Sequence, residues 1–242
     1  MRAEYSIRRI YMDYSYLEKN VAEIRGRIND AAVSAGRDGN DIKLLAAVKY
    51  VDTEAVNYIH RYCGINDIGE NRVQQLLERW DALDREGLNI HFIGSLQTNK
   101  VKYIVDKVCM IHSVDSEKLA AEIQRQCAKI GKTMEVLVEI NCGREENKTG
   151  ILPEDAEALC AKIADMPNLR LRGFMTMAPR CESDAEYEKY FSETYDLIID
   201  ICNKKIYNIE KPIISMGMSG SIEAAVRCGS TCVRVGRALF AE

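Results

Sequence analysis

No CxxC pair occurs in this sequence, although it has nine cysteines, scattered at Cys63, Cys109, Cys127, Cys142, Cys160, Cys181, Cys202, Cys228 and Cys232. An odd count without paired spacing suggests neither a disulfide framework nor a zinc site and fits a reducing cytosol. Long apolar runs are also missing. None approaches the roughly 20 residues that span a bilayer, and the charged opening stretch, MRAEYSIRRIYMDYS, lacks the apolar centre of a secretory signal. Excess basic charge is absent too: the net charge is −4 at pH 7, which leaves no global field to hold nucleic acid or an anionic membrane. Any anion must be caught by a local site. With four prolines and no repeat, low-complexity tract or Pro/Gly-rich linker, residues 1–242 read as one domain, expected to be soluble and cytoplasmic.

What is present is an ordinary globular composition, 47% hydrophobic and 29% charged, enough for a sizeable core. Apolar residues recur at helical spacing from Ile10 to Ala35 (Ile10, Tyr14, Leu17, Val21, Ile24, Ile28), and Gly36 is a suitable stop. Strand-like runs follow at 42–50, 65–69, 89–94, 109–114, 134–141, 169–177, 212–217 and 232–236, with helical patterns between them at 53–63, 71–83, 98–106, 116–130, 153–165, 184–203 and 221–228. Alternation of this kind calls for a parallel sheet. Eight units in 242 residues fit a (β/α)8 TIM barrel, preceded by an N-terminal helix, better than the alternative, an open doubly wound sheet.

Barrels of this class carry their sites on the loops after the strands, and phosphate is often held after strands seven and eight. At those two places the sequence reads MGMSGSIEAAV (216–226) and VRVGRALF (233–240). The Gly/Ser turn into a helix, with Ser219 and Gly220, offers N–H groups to an anion, and Gly236 permits close backbone approach beside Arg234 and Arg237. Each has a plainer reading, as a helix cap or a paired arginine; their joint placement brings phosphate level with it. Closing the barrel brings strand one beside strand eight. In KLLAAVKYV (43–51) the alternation groups Leu45, Ala47 and Lys49 on one face, so Lys49 is expected at the barrel mouth next to the cradle. A strand-end lysine usually extends into water. In an apolar mouth beside arginines it would instead be desolvated and made nucleophilic, as Schiff-base lysines are. An imine-forming amine next to a phosphate cradle points to a phosphorylated aldehyde, pyridoxal 5′-phosphate (PLP) or a phosphosugar aldolase substrate.

The motifs LLAAVKY, IGEN (68–71), HFIGSLQTNKVKYI (91–104), VLVEINCGREENKTG (136–150), GFMTMAP (173–179), SMGMSGSIEAAV (215–226) and VRVGRALF resemble those of the pyridoxal phosphate homeostasis proteins, the YggS/PROSC family. That resemblance implies a single barrel of the alanine racemase N-terminal domain type that binds PLP. It implies an internal aldimine on Lys49, phosphate held by Ser219 and Gly220 with the backbone of Gly236 and Arg237, and Arg234 facing the pyridine nitrogen. Asn71 and Met218 would line the cofactor. Ser95, Ser221, Cys142 and Arg237 depart from residues common at those positions in relatives. An inward-folded Arg237 side chain would alter the pocket, whereas use of its main-chain N–H alone would not.

A guanidinium opposite the pyridine nitrogen disfavours its protonation and leaves a weak electron sink. With the whole chain used by the barrel, no second domain is expected to supply a racemase's opposing base. The reading is a non-catalytic, monomeric PLP carrier that supplies apo-enzymes; the alternative is a low-activity PLP-dependent amino-acid racemase. Lys148, in the charged loop after strand five, is either solvated surface or an auxiliary amine. His91 and His112 are strand residues expected to pack or to support the site, not to form a metal pair.

Overall fold

The computed structural model describes residues 13–205 and 209–242. Eight strands, β1 (Lys43–Ala47), β2 (Asp67–Glu70), β3 (Asn89–Phe92), β4 (Met110–Val114), β5 (Met134–Ile140), β6 (Leu169–Thr176), β7 (Ile213–Ser215) and β8 (Cys232–Val235), form a closed barrel in chain order. All eight pairings are parallel, and β8 returns to β1 with Leu45 opposite Arg234. Closure leaves no open edge, so the doubly wound alternative is excluded.

The helices are α1 (Ser15–Ser34), α2 (Thr53–Cys63), α3 (Val73–Arg79), α4 (Glu117–Lys129), α5 (Ala156–Ala164), α6 (Asp184–Asn203), α7 (Ile222–Arg227) and α8 (Arg237–Phe240). In α1 the residues Leu17, Val21, Ile24, Ile28 and Ala31 form a buried stripe, which lies against α7, α8 and α2 where the barrel closes. Asn20 fastens this packing by donating to the carbonyls of Leu239 and Ala241 at 3.0 and 2.7 Å. The expected start of this helix, residues 10–12, lies outside the described residues.

Strand alternation divides the core in two. Ala46, Val48, Ile68, Phe92, Val136, Val138, Phe174, Val233 and Val235 face outward into the large cluster beneath the helices. Leu45, Ile93 and Cys232 with Ala47, and Met110, Leu137 and Met175, fill the barrel interior. Full burial of such side chains contributes about 1.5–3 kcal/mol each.

Two expectations are corrected. The helix expected at 98–106 is a 3-10 helix at Thr98–Tyr103, where Lys100 N and Ile104 N take the i−3 carbonyls of Gln97 and Val101. The first strand ends at Ala47 and not at Tyr50, because Tyr50 adopts the left-handed region at φ 63°, which no strand continues.

Candidate functional site

The turns after β1 and β8 open on the same mouth. A Cβ on Gly236 would stand 2.9 Å from the carbonyl oxygen of Ala47, and Lys49 follows two residues later. The structure therefore brings Lys49, Arg234, Gly236 and Arg237 to one end of the barrel, as the sequence predicts. It differs in how Lys49 is presented. The side chain leaves from a turn and is exposed, with its ammonium 4.9 Å from the centroid of the Tyr50 ring. The buried strand position expected of it is replaced by an exposed turn position.

That turn is gripped from outside the barrel. Arg79 of α3 donates to the carbonyls of Val51 at 2.8 Å and Val48 at 3.4 Å, while its Nε lies 3.3 Å from a carboxylate oxygen of Glu70. Glu70 is fully buried and, among the described residues, its oxygens have no hydrogen-bond donor. Burial pushes its pKa up to about 7, against the pull of the Arg79 charge.

Two turns, after β7 and β8, are tied together where the sequence predicts an anion cradle. Gly217, at φ 96°, lets the chain turn away from β7; Met218 N then donates to Ser221 Oγ and Ser221 N returns to Met218 O at 3.1 and 2.8 Å. Ser219 Oγ accepts from Ala238 N at 3.2 Å, bridging to the turn after β8. Among the described residues, the N–H groups of Ser219, Gly220, Gly236 and Arg237 donate to no protein acceptor, and nothing lies within 4 Å of a Cβ placed on Gly220. These free donors and this open space fit a phosphate. The α1 helix contributes a support that the sequence reading missed: Arg27 donates to Ser219 O at 3.1 Å and pairs with Glu223 at 2.6 Å.

Arg234 is buried in the barrel. Its Nη1 donates to the carbonyl and the hydroxyl of Ser215 at 2.7 and 2.8 Å, and its Nη2 to the carbonyl of Thr176 at 2.9 Å. Burial lowers its pKa, and the nearby Cys232 and Glu139 counter that shift. Neither Ser215 nor Thr176 was singled out from sequence; Ser215 lies within SMGMSG and shares the inward alternation of Arg234, which is the signal available. Glu139, buried and accepting from Thr149 at 2.6 Å, was also missed.

Asn71 follows β2 at the same mouth and is half-buried, and Met218 is 40% exposed on the rim. Arg72 lies 5.0 Å over the Tyr50 ring. The Arg237 side chain is exposed, so it offers the mouth its main-chain N–H. Lys148 and Ser95 are exposed, and Cys142 donates to Met177 O at 3.7 Å.

The sequence matches the alanine racemase N-terminal domain family over residues 13–242. It is 40% identical to a pyridoxal phosphate homeostasis protein of Aquifex aeolicus over 93% of this chain and 97% of that one. It is 36% identical to one of Pseudomonas aeruginosa over 93% and 95%. Among solved structures, PipY of Synechococcus elongatus with PLP bound superposes with a TM-score of 0.77 at 26% identity, covering 93% of this chain and 99% of that one. An alanine racemase of Clostridium difficile shares the fold at 16% identity, with a TM-score of 0.73 over 93% of this chain and 60% of that one. Closed barrel, lysine-bearing turn and anion cradle thus coincide with similarity along nearly the whole sequence: the chain belongs to the pyridoxal phosphate homeostasis proteins, built on the alanine racemase N-terminal domain.

Proposed function

We propose that the protein holds PLP as a Schiff base on Lys49 and serves intracellular PLP homeostasis as one carrier domain, cytoplasmic and monomeric, that supplies apo-enzymes. The Lys49 amine adds to the aldehyde carbon of PLP and water leaves. The free N–H groups of Ser219, Gly220, Gly236 and Arg237 hold the phosphate, Arg234 faces the ring nitrogen, and Asn71 and Met218 line the ring. Bound PLP supplies an electron-withdrawing ring to whatever amine it is joined to.

The observation that carries this reading is Arg234. Ser215 and Thr176 present only acceptors to a guanidinium that cannot accept a hydrogen bond. Its side chain can offer a ring nitrogen only N–H and positive charge, which works against a protonated pyridinium and against strong carbanion stabilisation. Storage and hand-over of the aldehyde are left as the efficient uses of the site.

Borohydride reduction of the purified protein followed by peptide mass spectrometry tests the reading: a pyridoxyl adduct on Lys49 is expected. Chiral analysis of alanine and serine after long incubation tests the alternative. Sustained, Lys49-dependent turnover would replace the carrier with a low-activity amino-acid racemase. An adduct that forms only after a phosphosugar is added would replace it with an aldolase.

A further inference from the structure

A chain of side-chain hydrogen bonds runs through the barrel interior from the cofactor mouth to the opposite end. Arg234 Nη1 donates to Ser215 Oγ at 2.8 Å. Ser215 Oγ lies 3.2 Å from His112 Nδ1, His112 Nε2 lies 3.0 Å from His91 Nδ1, and His91 Nε2 lies 2.9 Å from Asp67 Oδ1. Lys43 closes the far end by donating to the same Asp67 oxygen at 2.7 Å. Arg234, Ser215, His112 and His91 are all buried. The two imidazoles meet edge to face, with centroids 5.1 Å apart.

The two ends of this chain impose the same direction on it. Arg234 can only donate, so Ser215 Oγ accepts from it and has its own proton to give. Ionised Asp67 can only accept, so His91 must present Nε2–H to it. A neutral His91 then accepts at Nδ1, which requires Nε2–H on His112. A neutral His112 accepts at Nδ1, where the Ser215 proton is available. Burial raises the Asp67 pKa, but the His91 and Lys43 hydrogen bonds outweigh it and hold the value at about 2. Burial, with the Arg234 charge adding to it, pushes His112 well below the ordinary histidine value. One proton assignment therefore satisfies every member of the chain without a charged imidazole in the interior.

We propose that His112 and His91 are positioning residues for Arg234, forming a one-way relay from Arg234 through Ser215, His112 and His91 to Asp67 that fixes the guanidinium from the opposite end of the barrel. The relay explains why two histidines occupy interior positions of β3 and β4 that apolar residues would otherwise fill. It ends in a cavity of about 890 Å3 at the mouth where the strands begin, lined among others by Lys43, His91, His112 and Cys232. The Arg234 guanidinium is thus linked to both mouths of the barrel.

The inference deepens the proposed PLP site and rests on it for its functional consequence, but its geometry is testable without PLP. In 15N-histidine NMR of the cofactor-free protein, assigned by His91→Gln and His112→Asn, both rings should be Nε2–H tautomers. A proton on Nδ1 of either ring overturns the relay. In PLP titrations followed by absorbance, His112→Phe keeps the ring volume but removes the acceptor. It should weaken binding about tenfold, as for loss of one hydrogen bond to a charged group's support, and displace the visible band; His112→Asn, whose carbonyl can accept from Ser215, should recover most of both. Unchanged binding and spectrum in His112→Phe, or equal defects in the Phe and Asn variants, would reduce the histidines to packing. Should His112→Phe not fold, His91→Phe cuts the relay one link further from Arg234 and is judged by the same weakened or unchanged binding and spectrum. Failure of the wild-type protein to take up PLP would overturn the proposed function, leaving the tautomers to decide the relay.

Discussion

Arg79 donates to the carbonyl oxygen of Val51 at 2.8 Å, and through this bond a residue on the outside of the barrel fixes the turn that carries the exposed Lys49. The same guanidinium reaches Val48 O, so both ends of the Val48–Val51 turn share one donor. Arg79→Met preserves most of the volume and removes the grip. The expected result is a PLP affinity lowered about tenfold, with the secondary structure kept and a stability loss of about 3 kcal/mol from breaking a buried pair. Denaturant unfolding monitored by far-UV circular dichroism, with a PLP titration on the same sample, checks both numbers.

Glu70, the carboxylate beside Arg79, makes stability depend on pH. Its folded pKa of about 7 lies above the ordinary 4.5, so between these values the native state holds a proton that the unfolded chain has released. The unfolded state then binds fewer protons, and stability falls as pH rises from about 4.5 to about 7, by at most about 3 kcal/mol, and is flat with respect to this group above that. Glu70→Gln cannot titrate and should flatten that slope. Urea midpoints at pH 5, 6, 7 and 8 for both proteins give the comparison; parallel curves would remove Glu70 as the source.

Lys49 lies on the Arg79-held turn, two residues after the Ala47 carbonyl that Gly236 approaches. Lys49→Ala should lose the borohydride-trapped pyridoxyl adduct and the visible absorbance, whereas Lys148→Ala, altering an exposed residue of the loop after β5, should retain an adduct on Lys49. Transfer of the adduct to Lys148 in Lys49→Ala would show that loop to reach the aldehyde. Intact-mass and peptide measurements on the reduced proteins separate these outcomes.

The barrel was legible because its grammar is local: period-two apolar runs alternate with amphipathic stretches, and each helix buries the stripe its sequence displays. That the turns after β1 and β8 share one mouth followed from closure alone, since it needs only that β1 and β8 be neighbours. Side-chain presentation was less legible. The left-handed Tyr50 is not a residue type that announces such a turn, so Lys49 was read as a strand residue. Arg79, Arg27 and the His91–His112 contact depend on pairings 9 to 196 residues apart in sequence or on the rotation of a helix about its axis. No spacing rule encodes either.

The two cradle glycines should respond differently to alanine. Gly220 has open space around a Cβ, so Gly220→Ala should change stability by no more than about 0.5 kcal/mol, as surface substitutions do. A Cβ on Gly236 would press to 2.9 Å against Ala47 O and 3.4 Å against Ala47 Cβ. Ala47 is the last residue of β1, and its backbone can yield only by parting β1 from β8 beside the lysine-bearing turn. Gly236→Ala is therefore expected to cost about 1–3 kcal/mol, the range for overpacking, and to weaken PLP more than Gly220→Ala does. Thermal unfolding and PLP titration of the two variants side by side check this. Equal behaviour would mean that β1 and β8 tolerate separation at their C-terminal ends, and the close approach of Gly236 to Ala47 would lose its role in the proposed site.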